Sequence, residues 1–217
     1  MTGAQVVATR EATVVAVEQL ALPGTLAVPA APIGVVAFAH GSGSGRLSPR
    51  NAQVARALND ARLGTLLFDL LAPEEAADRR NVFDVPLLAG RLTAAVEWLR
   101  RQPEARDLPV GLFGASTGAA AALWSAAELG HEVGAVVSRG GRPDLAGPRL
   151  REVTAPTLLV VGGRDEVVLE LNRRSLRELS GPAELRVVPG ATHLFEEPGA
   201  LEQVAALATD WFVAHLA

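Results

Sequence analysis

Ser116 stands at the centre of Gly114-Ala115-Ser116-Thr117-Gly118, between the apolar run Val110 to Phe113 and the small-residue run Ala119 to Leu123. An apolar run, Gly-x-Ser-x-Gly and an alanine-rich run predict a strand, a sharp turn and a helix, with the serine at the turn. The two glycines remove side chains that would collide there. The hydroxyl then meets the N-terminus of a helix, where unpaired N–H groups favour a developing negative charge. Such a serine is placed to attack an acyl carbon, although a small N-cap residue would carry the same local signature. Partners must decide between them.

A serine hydroxyl is a poor nucleophile at neutral pH and needs a base, and the base needs an orienting group. There are four histidines. His215 falls on the closing helix, His131 precedes a strand, and His40 opens a Gly-rich loop. His193, in Pro189-Gly190-Ala191-Thr192-His193, leaves the last strand at its C-terminal end and is the expected base. For the acid, Asp165 follows the apolar run Leu158 to Val161 and Gly162-Gly163-Arg164 directly. Asp144 is the competing acid, several residues along an Arg-rich loop, and Asp165 also reads as a helix N-cap. The chain order Ser116, Asp165, His193 is the order of nucleophile, acid and base in α/β-hydrolases. Oxyanion donors are expected from the backbone N–H of Thr117 and from Ser42, in the loop His40-Gly41-Ser42-Gly43-Ser44-Gly45. The same loop read as a phosphate cradle lacks a Gly-Lys-Ser/Thr ending.

Elements must bring these residues together. Gly34 to Ala39, Leu63 to Phe68, Val133 to Val137, Pro156 to Val161 and Leu185 to Val188 are apolar runs, as expected of strands buried on both faces. Between them lie helical signals. Ser48-Pro49 reads as an N-cap and first helical residue. Leu88, Leu92, Ala95, Val96 and Leu99 form one stripe, Leu169 to Leu179 a further helix, and Leu201 to Trp211 the closing one. Glu11 to Val28, including the run Thr13 to Val17, predicts two antiparallel edge strands. The alternation calls for an α/β fold, a mainly parallel sheet with helices on both faces and ligands met at the strands' C-terminal ends. Too few residues separate Val137 from Pro156 for a helical cap, so an uncapped site is expected. The chain, 217 residues long, is expected to form one domain over 1–217.

Composition narrows the chemistry. A net charge of −4 gives no reason to expect nucleic acid, and no cysteine is present, so a thiol nucleophile, a thiolate metal site and disulfides are excluded. All 20 basic residues are arginine, read as compositional bias. Met1 to Gln5 lacks the basic start of a signal peptide and no run is long enough to span a membrane, so a cytoplasmic protein without membrane association is expected.

His40-Gly41-Ser42-Gly43-Ser44, Gly114-Ala115-Ser116-Thr117-Gly118, Gly162-Gly163-Arg164-Asp165 and Gly190-Ala191-Thr192-His193 together resemble the dienelactone hydrolase-like branch of the α/β-hydrolase family, over nearly the whole chain. The likeness is to compact bacterial members, some of them fused to phosphoribosyltransferase domains. It implies the α/β-hydrolase fold, the nucleophile, acid and base roles for Ser116, Asp165 and His193, and no metal or organic cofactor. Dienelactone hydrolases proper carry a cysteine nucleophile, and the serine here takes away their substrate. A small carboxylic ester is the expected substrate, with lactone, thioester, amide and acyl transfer open to the same triad, and a non-catalytic binding module the alternative from another class. Leu70, Leu71, Leu194 and Phe195 are expected walls. Arg139, with Arg142, Arg46 and Arg50, is a candidate for an anionic substrate group or for surface ion pairs. The oligomeric state is left open.

Overall fold

A computed structural model describes residues 7–15 and 21–217. Met1 to Gln5 and the end of the run Thr13 to Val17 lie outside the described residues. The elements in chain order are β1 (Val7–Val15), β2 (Ala21–Pro29), β3 (Gly34–Ala39), α1 (Pro49–Asp60), β4 (Leu63–Phe68), α2 (Pro73–Ala76), α3 (Arg79–Val82), α4 (Val85–Leu99), β5 (Val110–Ala115), α5 (Thr117–Leu129), β6 (Val133–Arg139), β7 (Thr157–Gly162), α6 (Glu166–Leu176), β8 (Ala183–Val188) and α7 (Ala200–Leu216). The sheet has eight strands in the order β1-β2-β4-β3-β5-β6-β7-β8. From β4 to β8 every pairing is parallel, while β2 pairs antiparallel with both β1 and β4. The antiparallel pair expected from Glu11 to Val28 is therefore present, but only β1 is an edge, because β2 is stitched to β4.

β3, β4, β5 and β7 are buried at every residue, which explains their unbroken apolar runs. Their side chains alternate between two cores. Val35, Ala37 and Leu112 face α4 and α5, packing on Leu88, Leu92 and Ala120 to Leu123. Val36, Phe38, Phe113 and Val137 face α1 and α7, against Val54, Leu58, Val204 and Phe212. The sheet is thus a filled middle layer between helices.

Small residues decide how closely the helices sit. A methyl group at Gly111 would lie 2.6 Å from Phe212, and one at Gly134 would lie 2.6 Å from Leu216. With Gly34, whose missing methyl would stand 3.0 Å from Leu216, these form a trough across β3, β5 and β6 that seats the last turn of α7. Phe212 is fully buried in it, a burial that contributes about 1.5–3 kcal/mol.

Helix starts follow local capping. The Ser48 hydroxyl accepts the Asn51 N–H at the head of α1, with Pro49 first in the helix. α4 begins at Val85, ahead of the stripe that starts at Leu88, because the Asp84 carboxylate accepts the Leu87 N–H at 3.0 Å. α2 and α3 are single turns too short to show a periodicity. Between β6 and β7 the chain forms only 3-10 turns over Pro143–Glu152, broken at Gly147 with φ 56°. No separate cap domain stands over the strand ends of the described residues.

Candidate active site

β5 ends at Ala115 and α5 begins at Thr117, leaving Ser116 alone to turn the chain, with φ 52° and ψ −122°. Positive φ in a non-glycine residue is strained and persists only where its surroundings fix it. Here they do. The Ser116 N–H donates to the Arg139 carbonyl at 3.2 Å, and the Ser116 carbonyl accepts the N–H of Ala119 and of Arg142, each at 3.1 Å. Gly118 permits the turn: a methyl there would fall 2.2 Å from the Ala39 carbonyl oxygen. Gly114 is equally confined, 2.4 Å from the Ala119 Cα.

Asp165 and His193 meet. The imidazole Nδ1 lies 2.6 Å from Asp165 Oδ2, so Nδ1–H donates to the carboxylate and Nε2 is left as the free, basic nitrogen. Asp165 heads α6, yet its side chain makes no cap hydrogen bond; the carboxylate is engaged by His193 instead. Asp144 is committed elsewhere, held by Arg142 through Nε and Nη2, each at 2.8 Å. The His193 loop is itself fastened. Glu197 accepts the Thr192 N–H with both oxygens, at 3.0 and 3.1 Å, and its hydrogen bonds with Thr192 hold its carboxyl below the usual glutamate range. On the opposite flank Asn172, fully buried on α6, donates to the Gly141 carbonyl at 2.9 Å and so pins the loop after β6. Neither Glu197 nor Asn172 carries a sequence signal for this role, since each acts on a main-chain group.

The loop after β3 closes on the serine. A methyl at Gly41 would come within 3.0 Å of Ser116 Cβ and of the Ala115 carbonyl. Half-buried His40 fixes the loop's start: its Nδ1–H donates to the Gly41 carbonyl at 3.1 Å and its Nε2 accepts the Leu70 N–H at 3.0 Å. Burial lowers its pKa from the ordinary value of 6.5, against the opposing pull of the Gly41 bond and the Asp69 charge. The Ser42 N–H points back at the turn and donates to Thr117 Oγ1 at 3.0 Å. Two backbone amides thus converge beside the serine, one of them capped by a hydroxyl.

A cleft of about 630 Å³ opens from this point. Ser42 and Thr117 are among its lining residues, while Ser116, Asp165 and His193 are not; Leu70, Leu71, Val82 and Phe83 furnish apolar wall, with Arg79 beside them. Leu194, Phe195 and Arg139 do not line it. Leu194 is 41% exposed, and Phe195 is buried in the α1 and α7 core. Arg139 is buried with its Nη1 unpartnered, and its guanidinium lies 5.9 Å from the Phe113 ring centre. Burial, then repulsion from Arg50, pushes its pKa down to about 10. Arg50 pairs with Glu196 at 3.3 Å, and the Arg46 N–H donates to Asp69 at 2.7 Å. Arg50 and Arg46 are thus engaged in ion pairs, Arg46 through its Nε at 3.7 Å from Asp69 Oδ2.

A family model described as the dienelactone hydrolase family matches residues 56–215. The chain belongs to the dienelactone hydrolase family. A crystal structure of a dienelactone hydrolase from Anabaena variabilis agrees, with 51% sequence identity and a TM-score of 0.92 over 96% of this chain and 99% of that one. More distantly, the esterase domain of a Rhodothermus marinus protein shares the fold, with a TM-score of 0.79 and 20% identity over 97% of this chain and all of that one. Two Mycobacterium tuberculosis proteins whose names carry the words phosphoribosyl transferase are 63% identical over 193 residues. That stretch is 89% of this chain and 44% of each relative, so the chain spans less than half the length of the curated relatives it matches. The chain has the uncapped α/β-hydrolase fold expected from the strand and helix pattern. No helix of the described residues is long and apolar enough to cross a membrane.

Proposed function

We propose that the chain is a serine hydrolase of carboxylic esters working through an acyl-enzyme on Ser116. The observation that carries the reading is the Asp165–His193 hydrogen bond, which leaves Nε2 basic at the same sheet edge as the strained serine turn. His193 Nε2 takes the Ser116 hydroxyl proton as Oγ bonds to the ester carbonyl carbon. The carbonyl electrons move to oxygen, which meets the Thr117 and Ser42 N–H groups. As the tetrahedral centre collapses, the C–O bond to the alcohol breaks and His193 hands its proton to the departing oxygen. Water then repeats the cycle on the acyl-enzyme and restores Ser116. Asp165 holds the imidazole in the required tautomer and stabilises its cation.

The family membership and the esterase among the similar folds support hydrolysis. The transferase wording of the curated relatives names proteins more than half of whose length lies outside the match. The test combines a fluorophosphonate probe with turnover of short p-nitrophenyl esters. Ser116→Ala should abolish both labelling and turnover, Asp165→Asn should lower kcat on the order of 10⁴-fold, and Asp144→Asn should leave it near wild type. Labelling that survives in Ser116→Ala refutes the nucleophile, and a reversed order of the two aspartates moves the acid to Asp144.

A further inference from the structure

Among the described residues β8 ends the sheet, bonded to β7 on one side only. Its six residues contain no proline and no register shift, two of the usual devices that blunt an exposed edge. The direction of its main-chain groups is fixed by β7. The Pro182 carbonyl accepts the Thr157 N–H and the Val188 carbonyl accepts the Gly163 N–H, so the even-numbered residues of the strand turn their polar groups inward. Ala183, Leu185 and Val187 therefore turn theirs out to the free edge. The side chains alternate too. Leu185 packs against Val161, Val168 and Leu169 under α6, whereas Glu184 and Arg186 are about half exposed on the other face, paired with each other.

We propose that this chain forms a two-fold symmetric dimer through β8, the strands antiparallel and the axis at Leu185. A symmetric antiparallel pair must match outward groups with outward groups, which leaves three registers of any length. Two of them oppose like charges: one sets Glu184 against Glu184 of the second copy, the other Arg186 against Arg186. The register centred on Leu185 alone sets Glu184 against Arg186 and Arg186 against Glu184. It also pairs Leu185 with itself and Ala183 with Val187, itself 41% exposed, on the opposite face. Each outward pair closes two main-chain hydrogen bonds. A six-residue strand whose charges select one self-pairing register is built to meet a second copy of itself.

Sedimentation of the 217-residue chain across a concentration series should show a monomer–dimer equilibrium. Arg186→Glu and Glu184→Arg each place like charges opposite one another twice and should weaken dimerisation by about tenfold or more. The double swap Glu184→Arg with Arg186→Glu should restore it. All three substitutions lie at exposed side chains, and unchanged circular dichroism and melting temperature would show that each variant is folded. A wild-type chain that stays monomeric throughout overturns the proposal, as does a dimer indifferent to the single substitutions or a double swap that remains monomeric.

Discussion

Thr117 does two things at once at the candidate site. Its backbone N–H is one of the first, unpaired donors of α5, and its hydroxyl accepts the Ser42 N–H that the proposed chemistry needs for the oxyanion. In the structure the hydroxyl satisfies that amide, and in the proposed chemistry an oxyanion would displace it. Thr117→Val, which removes the hydroxyl at nearly constant volume, is then expected to hold kcat on a short p-nitrophenyl ester within about threefold of wild type, because both amides remain. A fall of about a hundredfold, the loss expected for one oxyanion donor, would transfer the donation to the hydroxyl itself. At this scale the sequence was informative where chemistry restricts residue type. Few serines follow an apolar run between glycines, and few histidines leave a strand at its C-terminal end. It offered Arg139 for an anionic substrate group, whereas the side chain is buried over Phe113 through a β5–β6 pairing that no local pattern shows. It preferred Asp165 to Asp144 by position after the strand alone, and could not see that Arg142, two residues away, holds Asp144.

Elements meet at His40, which joins the ends of β3 and β4 by accepting the Leu70 N–H while donating to Gly41. The bond from Leu70 requires an unprotonated Nε2, and burial keeps the ring's pKa below 6.5 in the folded chain. Unfolded, the ring protonates near that ordinary value. Below it the unfolded state therefore binds more protons, and stability falls as the pH drops through 6.5 toward the lower folded pKa. His40→Gln, without a titrating ring, should be less stable at neutral pH and should flatten that acid-side slope. Urea midpoints measured from about pH 8 down to pH 5 check it, and parallel slopes for the two proteins would remove His40 as the cause. Strands and long helices were readable because burial on two faces or one leaves runs and stripes. The single turns α2 and α3, which stand beside the cleft, have no room for a period, and the earlier start of α4 depends on one aspartate cap.

Across the whole molecule, the alternation of strands and helices announces a layered parallel sheet, but not the neighbours of each strand. A period of two says that β2 is a strand; only the assembled sheet puts it between β1 and β4. The glycine trough under α7 is likewise invisible along the chain, since its walls come from three strands and its occupant from the final helix. Gly111→Ala would press a methyl to 2.6 Å from Phe212 and should cost about 1–3 kcal/mol, read as a lower denaturation midpoint. An unchanged midpoint would mean that α7 can shift without loss. The trough also sets a schedule for the newborn protein. β3, β5 and β6 leave the ribosome long before Phe212 and Leu216, so this part of the central sheet stays uncovered until α7 emerges. Completion of this layer awaits α7, and until it is made the nascent chain presents a bare apolar furrow to chaperones and to its neighbours on the same messenger.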